Sequence, residues 1–275
     1  MPGNWQFYCQ PMVRLRTRAR KINQLDFLIA GTQKGGTSAL HYHLDQHPQI
    51  TMAHSEEAHK VDHPRRHFFD DEKRFSGDIS YDILHEDVKV KPGSRITGSC
   101  TPIYTYWRPA MQRIRDYNPE IKLIILFRNP ADRAFSHWNM YRDRKQEDLG
   151  FLDAIREEKK RLRAVLPLQL RRHSYLDRGF YSEQIERVFR FFPREQVLII
   201  KFEEFRRHAP EVVNEVFRFL GVSPLDSVKN RQQNRIRYER HMSRQERKYL
   251  VDLYRDDIRR VEELLGWDCS DWKQV

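Results

Sequence analysis

Two short stretches of the sequence place phosphate-handling residue types where a strand gives way to a helix. The first reads Gly31-Thr32-Gln33-Lys34-Gly35-Gly36-Thr37-Ser38. Its small residues let backbone N–H groups close around an anion at a helix N-terminus, where the helix dipole favours negative charge, and Lys34 adds a cation. The second stretch supplies Arg128 and, eight residues later, Ser136. A charged and a neutral donor at that spacing could face one phosphate. The nucleoside-triphosphatase pattern G-x-x-x-x-G-K-[ST] is not met, because Gly36 is followed by Thr37 and the lysine precedes the glycine pair. Nor does a carboxylate follow the apolar run 122–127 to help hold magnesium. The chemistry expected is a phosphate site that works without a metal.

The elements that must position these residues are visible as apolar runs. Phe27-Leu28-Ile29-Ala30 is a buried strand entering the glycine-rich turn, and 38–47 reads as a helix stopped by Pro48. Residues 122–127 form a second buried strand, followed by Asn129-Pro130, a good N-cap with proline at the first helical position. A helix at 182–192 leads into a third strand at 197–202, and further helices fit 210–220 and 243–265. Strands alternating with helices predict an α/β fold, a central parallel sheet flanked by helices on both faces. The stretch 54–98 has no clear period and reads as a long crossover lining a site.

Composition bounds the function classes. The 275 residues suit one large α/β domain, expected over 24–275 behind a basic lead-in at 1–23. Fifty Lys and Arg against 39 Asp and Glu give a net charge of +11, which points to an anionic partner without choosing one. Much of the excess, including Arg187, Arg190, Arg218, Arg259 and Arg260, is interleaved with glutamates and reads as solvated helix face. Three scattered cysteines, Cys9, Cys100 and Cys269, indicate neither a disulfide framework nor a zinc ribbon. No apolar segment is long enough for a signal peptide or membrane span, so a cytoplasmic setting is expected.

Taken together, Lys34-Gly35-Gly36-Thr37-Ser38 with Arg128 and Ser136 resembles the PAPS-dependent sulfotransferases, PAPS being the phosphoadenosine phosphosulfate donor, and especially their bacterial and heparan-sulfate-type branch. Thr101-Pro102, Arg178-Gly179-Phe180-Tyr181, Phe202-Glu203-Glu204-Phe205, Phe219-Leu220-Gly221 and the stretch 234–243 follow in the family's order, so the similarity runs from Asp26 to Trp272. The resemblance implies a P-loop-like sulfotransferase fold and transfer of a sulfuryl group from PAPS to a hydroxyl of a carbohydrate, phenol or other small molecule. It assigns Lys34 to the leaving product, PAP, and Gly35, Gly36, Thr37 and Ser38 to the 5′-phosphosulfate. Arg128 and Ser136 would hold the 3′-phosphate, Tyr181 would lie near the adenine, and Arg235 and Arg237 would close over the nucleotide. Nucleic acid is disfavoured as a partner, and oligomeric state is left open.

The family's general base is a Glu in a Lys-Glu-x-His-Phe-Phe stretch, and here that stretch is divided. Glu56-Glu57-Ala58-His59 follows Pro48-Gln49-Ile50 at the family's distance, while His67-Phe68-Phe69 comes later. Glu57 occupies the glutamate position, with Glu56 and His59 as alternatives. Ser99 and Cys100 stand where charged residues usually precede Thr-Pro, so the acceptor side departs from the pattern. Residues 54–106 and the helix around Trp138, Tyr141 and Arg142 are expected to shape that side. His43/His47 and His59/His63/His67 share a four-residue spacing, but Pro64 interrupts the second set, and packing or substrate contact is expected rather than a metal site. Two other function classes remain: a P-loop kinase, disfavoured by the missing Walker lysine, and a protein that binds PAP or polyanions without catalysis.

Overall fold

The computed structural model describes residues 22–53, 67–86, 88–227 and 238–275. In chain order the regular elements are β1 (Phe27–Gly31), α1 (Thr37–Asp45), β2 (Ile50–Met52), α2 (Asp82–His85), β3 (Ile96–Cys100), α3 (Ala110–Tyr117), β4 (Lys122–Phe127), α4 (Pro130–Asp143), α5 (Phe151–Ala164), α6 (Ser182–Phe191), β5 (Val197–Lys201), α7 (Phe202–Arg207), α8 (Ala209–Leu220) and α9 (Arg244–Leu265). The five strands pair in the order β2-β3-β1-β4-β5, and every pairing is parallel. The α/β reading with a parallel sheet is therefore correct.

Parallel strands buried on both faces need apolar residues at every position, which is why β1 and β4 appear as unbroken runs. In β4, Leu123, Ile125 and Phe127 enter one core with α3, α4, α6 and α9, while Ile124 and Leu126 enter a second core with α1 and α8. The chain runs from central β1 outward to β2, returns through β3, then crosses β1 to continue as β4 and β5. This reversal opens a crevice at the carboxyl ends of β1 and β4, the usual place for a ligand in such sheets.

Two expectations need correction. Residues 96–98, read as the end of an irregular crossover, belong with 99–100 to β3, and 50–52, assigned to no element in the sequence, form β2. Both are short, and Thr97, Gly98 and Ser99 give β3 no hydrophobic signature, although Thr97 and Ser99 are buried. Arg187, expected on a solvated face, instead turns inward and donates from Nη2 to the Thr105 carbonyl at 3.0 Å. Arg259 and Arg260 do lie in exposed ion pairs, with Asp256 and Glu186. No helix among the described residues is long and apolar enough to cross a membrane.

Candidate active site

The turn after β1 is held by the neighbouring strand: Thr32 N–H donates to the Leu126 carbonyl at 2.9 Å, and Gly35 N–H closes back on the Thr32 carbonyl at 2.8 Å. Gly35 has no room for a side chain, since a Cβ there would lie 2.7 Å from the Leu126 carbonyl oxygen and 2.9 Å from that of Thr32. Gly36 caps α1 with φ 99°, the left-handed region glycine favours, and the Phe202 ring fills the space its Cβ would take, 2.6 Å from Cδ2. No side chain caps α1, so among the described residues the Thr37 and Ser38 N–H groups stay available to a ligand, while that of Ala39 turns back to the Gly36 carbonyl at 3.0 Å.

The second half of the site follows β4. Arg128 leaves the strand end, donates from Nη1 to the Lys34 carbonyl at 3.4 Å, and sets its guanidinium 5.1 Å from the centre of the Phe202 ring. Asn129 caps α4 as expected, its Oδ1 accepting from Ala131 N–H at 3.0 Å and Asp132 N–H at 3.3 Å, with Pro130 in the first turn. Ser136 is buried on the same helix. Sequence reasoning missed what fixes this junction. Buried Glu203 accepts from Asn129 N–H at 3.0 Å and from Trp272 Nε1 at 3.1 Å, tying the end of β4 to the C-terminal segment.

The electrostatics favour an anion. Burial, then the nearby charges of Arg128 and Arg144, push the Lys34 ammonium down from its ordinary 10.5 to about 8, against a smaller opposing effect of Asp143. Neither Lys34 nor Arg128 has a carboxylate partner among the described residues. Cations gathered at a helix N-terminus without a carboxylate in contact form a site that an incoming phosphate would relieve.

Tyr181 is fully buried. It reaches the site by donating its hydroxyl to the Arg128 carbonyl at 2.8 Å and by packing against Phe127, ring centres 4.4 Å apart. Arg178, also buried, donates to Gln33 Oε1 in the turn itself, a link between residues 145 apart that no spacing foretells. On the far side of β3, Asp70 is fully buried and its Oδ2 meets His67 Nδ1 at 2.9 Å and Arg171 Nη1. Arg171 in turn lies 4.6 Å over the Trp107 ring. Phe68 and Phe69 are core residues, so the His-Phe-Phe part of the divided motif is anchored. Its earlier part, with Glu56, Glu57, His59 and His63, lies outside the described residues, as do Arg235 and Arg237.

Trp138 and Tyr141, expected to shape the acceptor side, are instead buried in the core; Trp138 Nε1 donates to the Leu149 carbonyl at 3.0 Å. The aromatic spacing on α4 that suggested a ligand surface is the inward stripe of an almost wholly buried helix. His47 uses both ring nitrogens, on the Ser223 carbonyl at 2.8 Å and Gln49 N–H at 3.1 Å, and packs on Phe217. His43 packs on Phe205. The packing role expected for this pair is what the structure has.

The sulfotransferase domain family matches residues 24–250. The chain belongs to that family. A solved sulfotransferase from Alicyclobacillus acidocaldarius is 31% identical and superposes with a TM-score of 0.77, over 92% of this chain and 100% of that one. Human bifunctional heparan sulfate N-deacetylase/N-sulfotransferase 2 is 28% identical over 210 residues, 72% of this chain and 22% of that protein. Mouse heparan sulfate glucosamine 3-O-sulfotransferase 5 is 25% identical over 206 residues, 74% of this chain and 55% of that protein. This sulfotransferase thus spans about a fifth of the length of the first curated relative and about half of the second. Membership places the chain among the sulfotransferases, and its glycine-rich turn and β4 junction lie in the crevice that such folds use for ligands.

Proposed function

We propose that this sulfotransferase binds PAPS across the carboxyl ends of β1 and β4 and transfers its sulfuryl group to a carbohydrate hydroxyl. The observation that carries the donor reading is the pairing of Lys34 with Arg128, neither in an ion pair among the described residues, beside the uncapped start of α1, with the charge of Arg144 outweighing that of Asp143 at Lys34. Gly35, Gly36, Thr37 and Ser38 are assigned to the 5′-phosphosulfate, and Arg128 and Ser136 to the 3′-phosphate that distinguishes PAPS from ATP. Tyr181 would support the nucleotide side from beneath Arg128, and Arg235 and Arg237 would close over it.

In the reaction proposed, Glu57 takes the proton of the acceptor hydroxyl as its oxygen forms a bond to sulfur. The bond from sulfur to the bridging oxygen breaks, and PAP leaves with the electron pair. Charge grows on that bridging oxygen, where the Lys34 ammonium and the first N–H groups of α1 stabilise it without reorganisation. The carbohydrate class is supported by the two heparan sulfate enzymes among the relatives.

Incubation with PAPS carrying radioactive sulfur and a panel of oligosaccharides, alcohols and phenols tests this reading. Label is expected in an oligosaccharide, with turnover reduced about a hundredfold or more in Glu57→Gln while PAP binding is kept. Label confined to phenols would overturn the acceptor class, and unchanged turnover in Glu57→Gln would overturn the base.

A further inference from the structure

Glu158, on α5, belongs to no motif of the sequence, yet it is a carboxylate with 1% exposure in the interior. Its two oxygens are spent on the backbone: Oε2 accepts from Leu176 N–H at 2.7 Å and Oε1 from Asp177 N–H at 2.8 Å. These are the opening N–H groups of the short 3₁₀ turn Asp177–Gly179. On its other side the turn is held by Tyr254 of α9, whose hydroxyl donates to the Leu176 carbonyl at 2.8 Å.

That turn supports both halves of the donor site. Arg178 leaves it with Nε on Ser174 Oγ at 2.7 Å, one terminal nitrogen on the Arg171 carbonyl and the other on Gln33 Oε1, beside Lys34. Three residues further on, Tyr181 donates to the carbonyl of Arg128. A displacement of residues 176–179 would therefore move the side chain that steadies the glycine-rich turn and the one that steadies Arg128.

We propose that Glu158 is a positioning residue for PAPS and PAP: its ionised carboxylate fixes the 176–179 turn, and through Arg178 and Tyr181 it sets the geometry of Gln33-Lys34 and Arg128. This inference rests on the donor-site reading above. An ionised carboxylate offers charged acceptors to both N–H groups, whereas protonation weakens the acceptor that carries the proton and an amide replaces it with a donor.

Burial, with a lesser push from Asp177, raises the Glu158 carboxyl to about 7, against the two N–H bonds and Arg133 of α4. Tyr254 of α9 also faces it and is neutral in this range, its own ionisation pushed well up by burial. Protonation as pH falls through about 7 weakens one acceptor and loosens the turn, so donor affinity declines on the acid side. Lys34 loses its charge as pH rises through about 8, which lowers affinity on the alkaline side. PAP affinity is thus expected to peak between the two.

The test is calorimetric titration with PAP from pH 6 to pH 9, on the wild type, Glu158→Gln, Tyr254→Phe and Lys34→Ala, each checked for folding by thermal melting. Glu158→Gln is expected to bind about tenfold more weakly at pH 8, the loss of roughly one charge-assisted hydrogen bond, and to lack the acid limb. Tyr254→Phe removes a neutral bond to the same turn, so it should keep that limb. Phosphate ionisation of PAP itself, near about pH 6, is common to all and cancels in the ratio of variant to wild type. If Lys34→Ala abolishes binding but wild type and Glu158→Gln share one profile, the positioning role is overturned and the donor site stands. A wild type without an acid limb near pH 7 overturns the role even if Glu158→Gln does not fold. No PAP binding by wild type at any pH overturns both.

Discussion

Replacing Lys34 with methionine is expected to make the unliganded protein more stable while abolishing its response to PAP. The Lys34 ammonium falls from 10.5 to about 8, chiefly through burial and then through Arg128 and Arg144. A folded-state value below the unfolded one means that the unfolded chain holds this proton more tightly. The charged form therefore costs stability below pH 8, and the cost is relieved as pH rises from about 8 toward 10.5. At about 1.4 kcal/mol per pH unit the full cost is about 3 kcal/mol, and partial solvent access to Lys34 reduces it to about 1–2 kcal/mol. Methionine keeps the length and apolar stem of lysine without the charge. For a chain of this size, about 1–2 kcal/mol corresponds to a rise in Tm of roughly 2–8 °C near pH 7. Thermal unfolding with and without PAP reads both effects. The wild type should gain stability on adding PAP and as pH rises above 8; Lys34→Met should do neither. A lower Tm in the unliganded variant, or an undiminished gain with PAP, would refute the reasoning that Lys34 is a strained cation kept for an anion.

Gly35→Ala should fold but lose PAP binding by at least about tenfold in a direct titration, because the Cβ would meet two backbone carbonyl oxygens that cannot retreat without moving β4 or the turn. Glu203→Ala should destabilise by about 2–3 kcal/mol in urea unfolding, since it strands the Asn129 N–H and Trp272 Nε1, and should weaken PAP binding through the shifted β4 junction. Glu147 is a purely structural counterpart. Burial alone would raise its carboxyl, but Arg161, Leu149 N–H and Tyr175 bring it down to about 2. Its contribution, present above the ordinary carboxylate range, should be lost as pH falls toward 2, and Glu147→Gln should flatten that part of the stability profile without changing PAP affinity at pH 7.

The elements that frame the proposed donor site were legible in the sequence because their constraints are local. A strand, a glycine-rich turn and a helix follow one another within residues 27–45, and Asn129-Pro130 announces the start of α4. The supports were not legible, because they are long-range. Glu203 reaches Asn129 across 74 residues, Tyr181 reaches Arg128 across 53, and Arg178 reaches Gln33 across 145, and no spacing rule encodes such pairs. Glu158 stands in a stretch that alternates Glu, Lys and Arg, the pattern of a solvated helix. Only the fold distinguishes its buried face from the exposed one. The small-residue strand β3 and the inward aromatics of α4 misled in opposite directions. The first lacked the apolar run of a core strand, and the second carried aromatic and basic residues that resemble a ligand surface until the helix is seen to be covered on nearly every side.

Calorimetric titration at pH 7.5, about midway between the Glu158 and Lys34 transitions, tests the central claim most directly. PAP would be compared with ATP plus magnesium on the wild type, Lys34→Ala and Arg128→Ala. The donor-site account predicts one PAP site per chain, binding that collapses in both variants, and weak binding of ATP with magnesium. Tight ATP binding, or PAP binding that survives both substitutions, would contradict it.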